Sequence, residues 1–173
     1  MSTSVVGGVW VGDLWGMAER RRRGLGRRDD EPDAAAERSV RASATGKRLG
    51  EIAEAAFLAK AAALGFGVAK PWGDSDRYDF ILDWAGRLWR VQVKSAHRAG
   101  EDGGYSFRAH GQSSVAYKED EIDALVAYIV PEDVWYVFPG NVFRSLRSLK
   151  LFPGGRRSKF ERYREAWGIL RRG

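Results

Sequence analysis

Residues 77–95 read RYDFILDWAGRLWRVQVKS, and this stretch decides the fold. Its second half alternates. Trp89, Val91 and Val93 fall on one side of an extended strand, and Arg90, Gln92 and Lys94 fall on the other. Its first half opens on Asp79 and continues Phe80-Ile81-Leu82. Ala85-Gly86 between the halves predicts a tight hairpin turn. A hairpin centred there pairs residues whose numbers sum to about 171, which sets Asp79 opposite Gln92. Asp79, Gln92 and Lys94 then meet at one end of an otherwise apolar hairpin.

Upstream, Thr45 is a plausible N-cap, and GKRLGEIAEAAFLAKAAAL predicts a helix that ends at Gly65. From Ile52 to Leu64 it is apolar almost all round apart from Glu54 and Lys60, so it is expected to be mostly buried. Glu51 and Glu54 stand one turn apart near its start. FGVAK reads as a short strand closed by Pro71, and PWGDSDR as a polar loop. Downstream, YSFRAH suggests a further strand, EIDALVAYIVPEDVWYVFPG two buried strands with a turn at residues 131–133, and SLKLF a short strand. GGRRSKFERYREAWGILRRG is expected to close the chain as a helix, with Phe160, Tyr163, Trp167 and Leu170 on its packed face. The order points to an α/β sandwich on a mixed sheet. Residues 1–42 mix dense charge with Gly and Pro and show no apolar period, so they read as a low-order tail ahead of a domain at residues 43–173.

The bulk numbers narrow the chemistry. The chain has 173 residues, enough for one domain with a real core. It lacks cysteine and has two histidines, His97 and His110. Disulfides, thiol nucleophiles and multi-histidine metal cages are therefore excluded, and a divalent cation would be held mainly by oxygens. The absence of cysteine and of a basic n-region before the mildly apolar start fits a cytoplasmic protein, and no segment has the length of a membrane span. The net charge is +6, unevenly placed. Residues 45–140 carry eleven basic and fourteen acidic side chains, whereas residues 141–173 carry ten basic and two acidic. That segregation suits a polyanionic partner, of which nucleic acid is the commonest.

Two carboxylates and an amide oxygen form a hard-oxygen set suited to Mg²⁺. A lysine beside them can hold a water or neutralise a phosphate. Phosphodiester hydrolysis needs those services and no cysteine or histidine. Each residue alone also has a plainer reading. Asp79 fits a loop-to-strand turn, Glu51 a first-turn helix acid, and Gln92 and Lys94 a solvated strand face.

The combination is more specific. Residues 48–95, RLGEIAEAAFLAKAAALGFGVAKPWGDSDRYDFILDWAGRLWRVQVKS, resemble the PD-(D/E)XK nuclease superfamily. Within it, they resemble the subgroup of group I intron-associated homing endonucleases and their bacterial relatives. The resemblance rests on Gly50-Glu51, Gly65, Pro71-Trp72-Gly73, Tyr78-Asp79 and Arg90-Val91-Gln92-Val93-Lys94. It extends through YKEDEIDALVAYIVPEDVWYVFP and KFERYREAWGIL.

The resemblance implies a restriction-endonuclease-like core with a mixed β-sheet flanked by helices in α-β-β-β-α-β-like order. It implies a Mg²⁺-dependent endodeoxyribonuclease, with Mn²⁺ as a substitute cation. Asp79, Glu51, Gln92 and the Val93 carbonyl would be metal ligands and Lys94 the motif lysine, with Glu54 in reserve if helix phasing turns Glu51 away. Gln92 replaces the acid of the wider superfamily, as this subgroup does. The implied partner is double-stranded DNA, cut by a homo-oligomer, dimer or tetramer. Arg77 and Arg90 near the motif, and Arg144, Arg147, Arg156, Arg157 and Lys159 in the basic segment, are the candidate DNA contacts. The alternatives are a catalytically inactive nucleic-acid-binding module on the same fold and a Holliday-junction-resolvase-like nuclease.

Overall fold

The computed structural model of the chain describes residues 34–172 apart from 74, 112–114 and 156–157, with side chains from Thr45 onward. The chain divides into two units, Met1–Arg41 and Ala42–Gly173. Most of the region read as a tail lies outside the described residues. Its last part, from Ala34, is helical, so the helix expected to start at Thr45 begins eleven residues earlier.

This helix, α1, spans Ala34–Ala63. Gly65 ends it with φ +87°, a backbone conformation that only glycine adopts without strain. The Gly65 amide donates to Ala62 O and the Phe66 amide to Ala61 O, the paired bonds of a Schellman cap. The strands are β1 (Gly67–Ala69), β2 (Phe80–Trp84), β3 (Arg87–Ala96), β4 (Tyr105–Arg108), β5 (Ala124–Ile129), β6 (Val134–Pro139) and β7 (Ser148–Leu151), with a one-turn helix α2 (Gly140–Phe143) after β6. Five of them form a mixed sheet in the order β1-β2-β3-β5-β6. Within it β3 pairs antiparallel with β2 and parallel with β5. The remaining two, β4 and β7, make a small antiparallel sheet of their own.

The expected hairpin is present in its expected register. Phe80 pairs with Val91 and Trp84 with Arg87, around a turn in which Ala85 and Gly86 both have positive φ. Such a turn follows the right-handed twist of the flanking strands. Alternation along β3 buries Trp89, Val91 and Val93 and leaves Arg90, Gln92 and Lys94 half-buried.

The two faces of the sheet carry separate cores. On one, Ala53, Phe57 and Ala61 of α1 pack with Phe80, Leu82, Val91, Val93, Val126 and Val137. On the other, Tyr105, Phe107, Leu149 and Leu151 of the small sheet pack with Leu125, Ala127, Ile129, Tyr136 and Phe138. Every residue of β5 is buried, as expected of a strand covered on both sides.

Two further expectations fail. The helix is not mostly buried: Ile52 is 50% and Leu58 47% exposed, and Ala55, Ala59 and Ala62 are exposed with them. The sheet covers one side of a helix, and alanines on the other side serve helix propensity rather than packing. The C-terminal segment is not an α-helix but two 3₁₀ turns, Glu161–Tyr163 and Trp167–Ile169. Phe160, Tyr163, Trp167 and Leu170 are nevertheless all buried. Glu165 breaks the helix. Its φ is +48°, its amide donates to Trp135 O, and its carboxylate accepts from the Trp135 amide and from Trp167 Nε1. Docking on β6 outweighs a helix of weak propensity interrupted by Gly168.

Candidate active site

Asp79 lies just beyond the first residue of β2, where the ladder with β3 stops. Its amide donates to Val91 O at 2.9 Å. Its Oδ2 accepts the Val93 amide at 2.7 Å and Gln92 Nε2 at 2.5 Å. A continued ladder would have offered the backbone of Tyr78 to Val93, and the carboxylate takes that place. Asp79 is thus fixed to the two residues on which the motif reading depends. Gln92 Nε2 also lies 3.4 Å from Val93 O. One N–H donor therefore stands where a carboxylate oxygen and a carbonyl oxygen converge, and such a point also suits a cation.

Burial pushes the Asp79 carboxyl up from 3.8 to about 6. The charge of Glu54 adds to the rise, while the Val93 hydrogen bond, Lys94 and Lys70 oppose it. Burial also holds the Lys94 ammonium below its ordinary value; Asp79 pulls it back up and Arg108 pushes it further down. Lys94 makes no ion pair among the described residues. Tyr117, buried on the small-sheet side, donates to Gln92 Oε1 at 3.4 Å. Desolvation and the Asp79 charge push its phenol up to about 12, so it stays protonated.

A cleft of about 840 Å³ gathers Glu51, Glu54, Asp79, Gln92 and Lys94 in one wall system with Lys47, Lys70, Arg77 and Tyr117. The helix reaches it past the edge of the sheet rather than across the Gln92–Lys94 face. If α1 crossed the Gln92–Lys94 face, Glu51 would meet that face directly, but α1 packs on the opposite face, against Val91 and Val93. Its glutamates approach past the open end of β2, where Asp79 leaves the sheet. Glu51 is exposed there. Glu54 is half-buried, its charge acts on Asp79, and it accepts a hydrogen bond from Lys70 at 2.7 Å. The 3.6-residue period favours the glutamate nearer the buried stripe of Ala53 and Phe57. Among the described residues, no three His, Cys, Asp or Glu side chains cluster as a metal cage. The oxygen donors in the cleft wall are the carboxylates of Asp79, Glu54, Glu51 and Asp76 and the Gln92 amide, with the Val93 carbonyl beside Gln92.

The basic residues divide. Arg77 lines the cleft, 3.5 Å from Glu121. Arg90 is paired with Asp123, with Nε to Oδ2 and Nη2 to Oδ1 both at 3.0 Å, which braces β3. Arg144 is turned inward, donating to Ile122 O at 2.9 Å, and is likewise structural. Arg147 and Lys159 are exposed. Arg156 and Arg157 lie outside the described residues. Tyr117 is the site residue that sequence reasoning missed. No periodicity signals that it comes over Gln92.

A family model described as PD-(D/E)XK endonuclease matches residues 44–169. Among solved structures, a bacterial homing endonuclease, I-Ssp6803I, superposes with a TM-score of 0.66 at 32% identity, over 72% of this chain and 92% of that one. No curated protein matches the chain.

Proposed function

The chain belongs to the PD-(D/E)XK endonuclease family, and from that premise we propose that it is a Mg²⁺-dependent DNA endonuclease that hydrolyses phosphodiester bonds at the Asp79–Gln92–Lys94 cleft. The observation that carries the reading is the bonding of Asp79 Oδ2 to both Gln92 and Val93, with the half-buried Lys94 alongside. The donor set fits a hard cation: Asp79, Glu54 and the Val93 carbonyl, joined by Gln92 once its amide turns its oxygen to the point that Nε2 holds. Glu54, rather than Glu51, is the helix acid we assign to it. A bound divalent cation would orient the phosphate, lower the pKa of a coordinated water and offset charge in the transition state.

The chain's own groups do the rest. Val93 N–H and Gln92 hold the Asp79 carboxylate in place before any ligand arrives. Lys94, desolvated and unpaired among the described residues, is placed to hold the attacking water or to neutralise a phosphate oxygen. Tyr117 remains a hydroxyl at neutral pH and fixes the Gln92 amide. The exposed Arg147 and Lys159 suit phosphate contacts that position a duplex and make binding salt-dependent. Two copies acting together would cut both strands of double-stranded DNA. Among the described residues, no helix is long and apolar enough to cross a membrane.

The test is nicking of supercoiled plasmid with Mg²⁺ or Mn²⁺. Wild type should convert it to nicked or linear product, and EDTA should stop the reaction. Lys94→Ala should lose activity by at least about a hundredfold, the scale of a lost electrostatic stabiliser, while binding DNA nearly as well. Undiminished nicking by that variant would overturn the proposal.

A further inference from the structure

Trp72 is 100% exposed. Of the tryptophans among the described residues, Trp89, Trp135 and Trp167 are buried and Trp84 is partly buried. Trp72 alone makes no packing, ring or cation contact among the described residues. A side chain that can cover about 200 Å² stands in water, and burial elsewhere in the chain does not account for it.

Its two chain neighbours place it beside the Asp79 cleft, outside the cleft's own lining. Pro71 and Gly73, on either side of it, both line the cleft of Asp79 and Lys94. Pro71 fixes its own φ, and Gly73 sits at φ +82°, a turn conformation that glycine adopts without strain. Lys47, Lys70, Arg77 and Lys94 line the cleft against Glu51, Glu54, Asp76 and Asp79, so four cations balance four acids. Lys70 is paired with Glu54 and Arg77 with Glu121. A divalent cation would tip that balance by two positive charges toward a polyanion.

We infer that Trp72 is a stacking platform for a nucleobase beside the scissile phosphate. The base comes out of its stack onto the indole while its backbone enters the cleft. An indole face accepts any base, so this contact positions the strand without reading sequence. It also favours substrates already unpaired or readily kinked near the cut, because unstacking a paired base costs free energy that the indole must offset. The inference rests on the nuclease reading above and adds to it a residue that touches substrate.

The experiment uses the full chain with a mixed-sequence 30-base-pair duplex and the matching single strand. Both carry 5-iodouracil, and Ca²⁺ replaces Mg²⁺ to hold the complex uncut. Irradiation should cross-link the peptide containing Trp72. Trp72→Ala should weaken binding roughly tenfold or more, with the larger loss on the single strand, and Trp72→Phe should restore most of it. The salt dependence of binding should not change in either variant, because no phosphate contact is lost. Mn²⁺ affinity of the free protein should be equal in all three.

Wild type that cuts while Trp72→Ala binds and cross-links as it does would sink this inference and leave the nuclease reading standing. So would a Trp72→Ala variant whose only change is its sedimentation behaviour, since Trp72 would then be a contact between copies. Wild type that neither binds nor cuts DNA would remove both.

Discussion

Replacing Asp79 with asparagine should make the protein more stable and inactive. The carboxyl titrates at about 6 in the folded chain and at 3.8 without it. At pH 7 it is ionised in both states, and its burial costs the fold about 3 kcal/mol relative to a neutral group. Both of its hydrogen bonds, from Val93 and from Gln92, go to the single oxygen Oδ2. An asparagine carbonyl can accept the same two, so the variant keeps the bonds and drops the charge.

We expect Asp79→Asn to be more stable by about 1–3 kcal/mol at pH 7, raising the melting temperature by several degrees. The sign across pH is a sharper test. The folded state binds the proton more tightly than the unfolded state, so wild-type stability from this group is full below about pH 4. It declines as pH rises and levels off above about pH 6. The variant lacks that decline, so the two stability curves should converge near pH 4 and separate toward pH 7. Urea unfolding followed by tryptophan fluorescence, in EDTA, measures both. Mg²⁺ should then narrow the gap by stabilising wild type alone. A variant less stable than wild type at pH 7, or a gap that does not close on acidification, would refute the reasoning.

Three further outcomes follow from the geometry. Glu54→Gln should weaken Mn²⁺ binding by about tenfold or more and lower the Asp79 pKa, whereas Glu51→Gln should stay near wild type; calorimetric titration of both variants separates the two acids. Cation affinity of the wild-type protein should rise about tenfold per pH unit up to pH 6 and flatten above it, because Asp79 must lose its proton first; the same titrations at several pH values measure the slope. Glu165→Ala should cost about 1–3 kcal/mol, because it strands the Trp135 amide and Trp167 Nε1, and thermal melts would register it without loss of cation binding.

The part of the fold written in local pattern was legible. Period-2 alternation and an Ala85-Gly86 turn fixed the hairpin and its register, and a glycine cap and two apolar runs did the same for the C-terminal end of α1, for β5 and for β6, but not for the start of α1. What depended on distant partners was not. The aromatic spacing of Phe160, Tyr163, Trp167 and Leu170 was read correctly as packing but wrongly as a helix, since the residue that breaks it answers to Trp135, thirty positions away. The side of the sheet on which α1 lies was equally invisible. Without it the choice between Glu51 and Glu54 rested on phase alone. Tyr117 and the pairing of Arg90 with Asp123 likewise depend on loops and crossovers that sequence periodicity does not encode.

The two-residue turn at Ala85-Gly86 acts as a ruler. It alone sets which residue of β3 meets Asp79, so one inserted residue there would swing Gln92 and Lys94 through the sheet to the helix side and put Val91 and Val93 into the cleft. The spacing between α1 and β2 imposes no such count, because α1 is placed by packing rather than by pairing. In a remote cousin of this chain, the intervals of thirteen and fifteen residues from the aspartate to the glutamine and lysine should stay rigid, while the interval back to the helix glutamate is free to stretch.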